Sequence, residues 1–370
     1  MKKIFKITLI NILIIFVFGL ILEISLRTFL SFKHSKNPNI NYWYKTWYRF
    51  HEPSYVEFND KLNYSPKKID LKKVDRPRWK RNSRITINKE KFRTNDNNLI
   101  FNNDKKILAV GDSYTFGDQV SNNETWPSCL EKNTKIQVDN AGVSGYGTSQ
   151  AIRRAIIESQ KRNYDYLIWS VIFLDFNRDI IYKNLIIEDD NLKFNIFTKD
   201  NSFTKNSDEL ILQDKKIYDY LREYSFTFYL FDRTVIKKIT NKFDKKKKII
   251  KPLYSKNNSK NIKVEPEELV NFLINKFKSI NISKKFILLQ YTDESNNTNE
   301  SIKIKNNKEV KKYKDILIKE AKMNNINVLD SIEIFSKMTD FEKRKLWLDH
   351  HTPKGNLLVC QFLLDKINFD

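Results

Sequence analysis

Hydrophobic positions along the chain fall into three regimes, each predicting a different kind of structure. The first is an uncharged run from Ile7 to Leu22, preceded by Lys2, Lys3 and Lys6. As a helix it covers about 24 Å, against about 30 Å for a hydrocarbon core. Glu23 and Arg27 can snorkel at its far end, so residues 1–27 are predicted to form a transmembrane helix. No small-x-small cleavage pattern follows, which favours an uncleaved signal anchor over a removed signal peptide. The lysines ahead of the run favour a cytoplasmic N-terminus with the bulk of the chain outside, although Arg27, Lys33 and Lys36 blunt that asymmetry.

The second regime, residues 28–104, is polar, basic and aromatic with no sustained period. It reads as a juxtamembrane stalk or partial subdomain. Its NYWYKTWYRF stretch sets Tyr and Trp where a membrane interface would hold them or where a small subdomain would pack them.

The third regime alternates short apolar runs with helical spacing. Lys106 to Val110, Lys135 to Gly142 and Tyr166 to Leu174 read as buried parallel strands. Between the second and third, Ala151, Ile152, Ala155, Ile156 and Ile157 recur at helical spacing over Thr148 to Arg162. The alternation breaks over about 180–266, which reads as an insertion or lid-like excursion. It resumes with a helix at Glu267 to Phe277, a strand at Lys284 to Asp293, a helix at Glu309 to Met323 and a strand at Asn325 to Asp330. A closing helix spans Thr352 to Asn368, with Thr352 suited to its N-cap and Pro353 to its first position. The pattern predicts an α/β domain over 105–370: a doubly wound parallel sheet in a three-layer sandwich, with its site at the strands' carboxyl ends.

Composition narrows the partners. The 67 Lys and Arg against 45 Asp and Glu give a net charge of +22 over 370 residues. Such a balance suits nucleic acid, an anionic membrane surface, or a residue bias with no partner. The charge is spread through Lys-, Asn- and Ile-rich sequence without a recognition module, so no nucleic-acid partner is expected. The densest block, Lys242 to Pro252, reads as a solvated loop. The two cysteines, Cys129 and Cys360, lack the spacing of a zinc or thiol-redox site. They are free to pair only in an oxidising compartment, and the sequence leaves that pairing open.

Candidate chemistry begins with the glycines, of which there are only 7. Gly111 and Gly117 flank Asp112-Ser113 straight after the first predicted strand. Glycine there permits a sharp turn that presents the Ser113 hydroxyl at the sheet edge, with its backbone N–H in a helix's first turn. Taken alone, the same residues fit an ordinary strand-to-helix loop capped by Ser113. A second loop, NAGVSGYGTSQ, spends Gly142, Gly145 and Gly147 at the next strand end, where bare backbone N–H groups can approach a substrate oxygen. The third strand runs into LDFNRD, which offers Asn177 as an amide donor or a turn residue, with Asp175 beside it. Of the 4 His, His34 and His51 lie in the stalk, so a base for Ser113 must be His350 or His351. Asp349 adjoins both as the group that would orient the ring.

These blocks resemble those of the SGNH (GDSL-type) hydrolases, and the chain looks like a membrane-anchored, bacterial-type member. GDSYTFG is similar to the family's first block, NAGVSGYGTSQ to the second, LDFNRD to a divergent third and DHHTPKGN to the last. The resemblance spans about Lys105 to Arg178 and Lys284 to Asp370. It implies Ser113 as nucleophile, an oxyanion hole from Ser113, Gly145 and Asn177, and a triad completed by Asp349 and a histidine. Spacing from Asp349 suits His351, whereas distance to Gly355 and the Thr-Pro helix start suits His350. On balance the loop favours His351. The third block lacks the usual glycine and Asn-Asp pair.

The implied activity is ester hydrolysis without metal or organic cofactor, on an O-acylated carbohydrate or lipid at the cell envelope. An O-acyltransferase of envelope polysaccharide, or a degenerate membrane-tethered binding protein, would share these features. The expected partners are an acylated small molecule or glycan and the membrane, with oligomeric state left open.

Overall fold

A computed structural model describes residues 2–36, 55–76, 81–101, 104–181, 184–189, 191–197, 221, 225–231, 235, 264–292, 306–348 and 350–369. The chain divides into two units. One comprises Met1–Ser54, Arg76–Arg81 and Thr204–Ser259, and the other Tyr55–Asp75, Asn82–Phe203 and Lys260–Asp370.

The first unit is dominated by the apolar N-terminal run, which extends well beyond its uncharged portion. Helix α1 covers Lys2–Lys36, and within it Lys6–Phe29 has a mean hydropathy of 2.7 with none of that stretch buried inside the protein. These 24 residues would span about 36 Å as a helix, long enough to cross a bilayer. Glu23, the single acidic residue of helix α1, meets the first turn of a short helix at Phe226–Phe231. It accepts from Phe226 N at 2.7 Å, Thr227 N at 2.8 Å and Ser225 Oγ at 3.0 Å. The helix's unpaired first-turn N–H groups thus find a carboxylate, as an N-terminal turn favours.

The second unit begins at Tyr55, which redraws the segment read as a stalk. Strands β1 (Val56–Asn59) and β2 (Asn63–Pro66) form an antiparallel hairpin, and β3 (Ile69–Arg76) pairs with β4 (Arg81–Ile87). Tyr64 and Phe92 are buried. The Tyr64 hydroxyl donates to the Ser144 carbonyl at 3.1 Å, while Tyr146 donates back to the Tyr64 carbonyl at 2.8 Å. Two-strand ladders of a few residues are too short to leave a readable period. The NYWYKTWYRF stretch lies outside the described residues.

The sheet follows the predicted alternation: β5 (Lys106–Val110), β6 (Gln137–Asn140), β7 (Tyr166–Val171), β10 (Lys284–Leu289) and β11 (Asn327–Asp330). Their order is β11-β10-β7-β5-β6, all parallel. Helix α2 (Ser113–Phe116) follows β5, α3 (Trp126–Thr134) leads to β6, and α4 (Thr148–Ser159) to β7. Then come α5 (Leu174–Ile181), α6 (Pro266–Ser279), α7 (Asn306–Met323) and α8 (Pro353–Lys366). Alternate side chains of β7 serve opposite layers, as a pleated strand requires. Leu167 and Trp169 pack with Ala151, Leu273 and Leu317, and Tyr166 and Ile168 with Trp126, Leu130 and Leu363. On that second face a disulfide joins Cys129 of α3 to Cys360 of α8.

The region read as one insertion is split. The hairpin β8 (Leu185–Glu188) and β9 (Asn191–Phe194) belongs to the sheet unit, and Phe197 N donates to the Asp60 carbonyl at 2.8 Å. Phe226–Phe231 belongs with α1. The lysine block at 242–252 lies outside the described residues. Strand β5 sits between β6 and β7, so the order in which successive strands are added reverses there, the switch point at which such folds place their sites.

Candidate active site

The turn out of β5 needs the backbone of glycine. A Cβ at Gly111 would lie 2.7 Å from the Ser170 carbonyl oxygen of neighbouring β7 and 2.4 Å from Thr115 Oγ1. Bare backbone lets the chain leave the sheet edge at once, and Asp112 then caps α2 by accepting from Tyr114 N at 2.9 Å. Ser113 follows as the first helical residue, at the carboxyl edge. The β6–α4 loop is bonded to the same turn, since Val143 N donates to the Gly111 carbonyl at 3.1 Å. Gly145 lies in that loop, with φ of +78°.

Ser113 Oγ lies 2.7 Å from His350 Nε2 and 3.2 Å from Asp112 Oδ2. Residues 237 positions apart are thereby brought to hydrogen-bond distance over one sheet edge. His350 belongs to a two-residue strand, β13 (His350–His351), paired antiparallel with β12 (Trp347–Leu348). Successive side chains on a strand point to opposite sides. His350 therefore meets Ser113, and His351 turns into the core.

This corrects the spacing argument that favoured His351 for contact with the serine. The His351 ring is only 2% exposed and donates from Nε2 to the Tyr291 carbonyl at 3.1 Å. It stacks on Phe335, ring centroids 5.3 Å apart, and meets Tyr114 edge-on. Among the described residues Nδ1 has no hydrogen-bond partner. Burial, aided by the neighbouring His350, lowers its pKa from 6.5 to about 3, against a smaller opposing effect from the Tyr291 carbonyl. Asp349 lies outside the described residues. Among the described residues, the side chain that meets His350 Nδ1 is Gln119, whose Nε2 is 3.0 Å away.

The LDFNRD segment forms α5, and its charges organise the floor of the site. Arg178 donates to Asp112 Oδ2 and to the Tyr146 carbonyl, both at 3.1 Å, and also pairs with Asp175. Asp175 additionally accepts from Ile172 N at 3.2 Å. Burial, then the proximity of Asp112, pushes the Asp175 carboxyl well above the usual carboxylate range. Asn177 sits on α5 after the carboxyl end of β7 and is half-buried.

Three residues of this arrangement escaped the sequence reading. Arg178 carried a signal, being a cation inside the recognised third block. Gln119 carried none, as a lone polar residue in a loop. Arg93 looked like one more stalk cation, yet it is buried and donates to the carbonyls of Phe116, Gly117 and Val120 and to Asn122 Oδ1, holding the chain that leaves α2.

No family model matches the sequence, and no curated protein matches it. Among solved structures, the chain is similar to a member of the lipolytic protein G-D-S-L family from Veillonella parvula DSM 2008, with a TM-score of 0.36 and 13% identity over 70% of this chain and 97% of that one. It is also similar to a psychrotrophic esterase from Pseudoalteromonas sp., TM-score 0.37, 12% identity, covering 71% and 96% of the two chains. An acetylxylan esterase from Geobacillus stearothermophilus gives a TM-score of 0.37 and 14% identity, covering 72% and 95%.

Proposed function

We propose that this chain is a serine ester hydrolase in which Ser113 attacks an acyl carbonyl and His350 takes its proton. The observation carrying this reading is the 2.7 Å contact between Ser113 Oγ and His350 Nε2 at the sheet's switch point. A serine hydroxyl is a weak nucleophile until an adjacent base accepts its proton. On attack, the new Oγ–C bond forms, the carbonyl oxygen takes up negative charge, and the imidazolium returns its proton to the departing alcohol. Water then attacks the acyl carbonyl with His350 as base again, the C–Oγ bond breaks, and the imidazolium returns its proton to Ser113 Oγ as the acid leaves. The N–H groups of Ser113 and Gly145 and the Asn177 amide are the donors assigned to the oxyanion, and Asp349 is the acid assigned by the resemblance.

The N-terminal helix serves in this reading as a membrane anchor, with the hydrolase outside the cytoplasm. The Cys129–Cys360 disulfide supports that side of the membrane, because such bonds persist in oxidising compartments. The substrate class that fits is an O-acylated carbohydrate or lipid of the envelope.

Fluorophosphonate labelling of the full chain tests the assignment. Wild type is expected to label at Ser113, Ser113→Ala not at all, and His350→Ala at least about a thousandfold more slowly, whereas His351→Phe retains labelling. Asn177→Ala is a graded variant, losing about 10²–10³ in turnover if its amide receives the oxyanion. Failure of the folded wild-type protein to label sinks the reading.

A further inference from the structure

We propose that Gln119 is a positioning residue that selects the tautomer of His350. The proposal rests on Ser113 and His350 acting as nucleophile and base. Gln119 is 5% exposed, and the backbone leaving it is held by hydrogen bonds. Its carbonyl accepts from Ser83 Oγ at 3.3 Å, and Val120 next to it donates to the Gly117 carbonyl at 3.2 Å and accepts from Arg93. Its carboxamide meets His350 Nδ1 at 3.0 Å.

A carboxamide is both donor and acceptor, and a half-turn of its plane exchanges the two. With the NH2 group toward the ring, Nδ1 is bare and the imidazole proton sits on Nε2. That proton points at Ser113 Oγ, whose own hydroxyl is then directed to Asp112 Oδ2 at 3.2 Å. All three contacts are satisfied, and the serine is held at rest. With Oε1 toward the ring, Nδ1 carries the proton, Nε2 is bare, and Ser113 Oγ–H donates to it. Only this second state takes the serine proton. Gln119 therefore orients the ring through a neutral group, without the charge that would stabilise an imidazolium.

Among the described residues, the charged groups next to Ser113 and Gln119 in the chain have partners of their own. Asp112 is paired with Arg178. Asp118 accepts from Tyr55 Oη at 2.8 Å and Ser144 Oγ at 2.7 Å. The His351 ring donates to the Tyr291 carbonyl, and the Tyr114 ring lies 4.8 Å from that of His350. Asp349 is the chain neighbour, so it enters the test.

The test compares wild type, Gln119→Glu, Gln119→Met and Asp349→Asn in the pH dependence of p-nitrophenyl acetate hydrolysis. A carboxylate at 119 only accepts, so it fixes Nδ1–H and stabilises the imidazolium. The neutral base then appears at higher pH, and the rising limb moves upward by about one pH unit. Methionine has similar length but no hydrogen-bonding amide, so kcat falls at least about tenfold while KM stays within about twofold and the limb stays in place. Because stability itself falls towards low pH, the folded fraction of each variant is measured by circular dichroism over the same range and the rates are normalised to it before the limb is read. An unmoved limb in Gln119→Glu, or wild-type kcat in Gln119→Met, overturns the proposal. So does a limb that moves with Asp349→Asn and not with Gln119→Glu. Ser113→Ala and His350→Ala run alongside: if they retain turnover, the nucleophile and base reading falls, whatever Gln119 does.

Discussion

Replacing His351 by phenylalanine is expected to change how stability depends on pH. The wild-type ring is buried against Phe335 and Tyr114, and Nδ1 has no partner among the described residues, so a second proton there would place a charged ring inside the core. Its folded pKa is about 3 against an ordinary 6.5. Below 6.5 the unfolded chain binds a proton that the fold refuses, so unfolding becomes easier as pH falls. The loss is about 1.4 kcal/mol per pH unit, or roughly 2.5 kcal/mol from about pH 7 to about pH 4.5, levelling off near pH 3. Asp179 works in the opposite sense: burial raises its carboxyl from 3.8 to about 6, so it stabilises the fold at low pH and that contribution fades as pH rises through 6. Asp179 is present in both proteins and cancels in the difference. Phenylalanine removes the hydrogen bond to the Tyr291 carbonyl, a loss of about 0.5–1.5 kcal/mol at every pH. The variant should thus be less stable than wild type at neutral pH, with the difference shifting in the variant's favour by roughly 2.5 kcal/mol towards pH 4.5. Urea denaturation across that range measures the gap. Parallel stability curves for the two proteins would refute a neutral, buried His351.

Two further perturbations act on the scaffold around the site. The Cys129–Cys360 bond closes a sequence separation of 231 residues, for which chain entropy gives about 5 kcal/mol. Reductant, or the double replacement by serine, should lower the urea midpoint accordingly, and identical midpoints with and without reductant would contradict a formed bond. At Gly147 an added Cβ would sit 2.2 Å from Asp179 Oδ1, the carboxylate that accepts from Ser149 N at 3.1 Å and from the Thr148 and Ser149 hydroxyls. Gly147→Ala should uncap α4 at a cost of about 1–3 kcal/mol, read as a fall in ΔG of unfolding, whereas an unchanged midpoint would show that the carboxylate can retreat freely.

What could be read from the sequence follows from where the physics is local. Strands β5, β7 and β10 are buried on both faces, so each leaves a continuous apolar run, and α8 announces itself because Thr352 does cap it, accepting from Gly355 N at 3.3 Å. Residue type was equally legible at the site, since few hydroxyls follow an apolar strand and a glycine, and only two histidines lie outside the former stalk. The segment from Tyr55 to Asn95 was illegible because its contribution is made by isolated residues. Tyr64, Phe92 and Arg93 have no mutual period, and a buried arginine that donates to carbonyls has the same sequence signature as a solvated one. The histidine choice failed for a different reason. Motif spacing counts positions along the chain, but the side toward which a strand residue points is set by the ladder it joins. In β13 that ladder pairs His350 with Leu348 and His351 with Trp347. A shift of one residue in such a pairing exchanges the ring at the serine for the ring in the core. The same logic explains Gln119: its importance comes from the nitrogen it meets 231 positions away, a contact with no local trace. Long-range register therefore decides which of two identical side chains meets the serine, even where local pattern has already placed both beside the sheet's carboxyl edge.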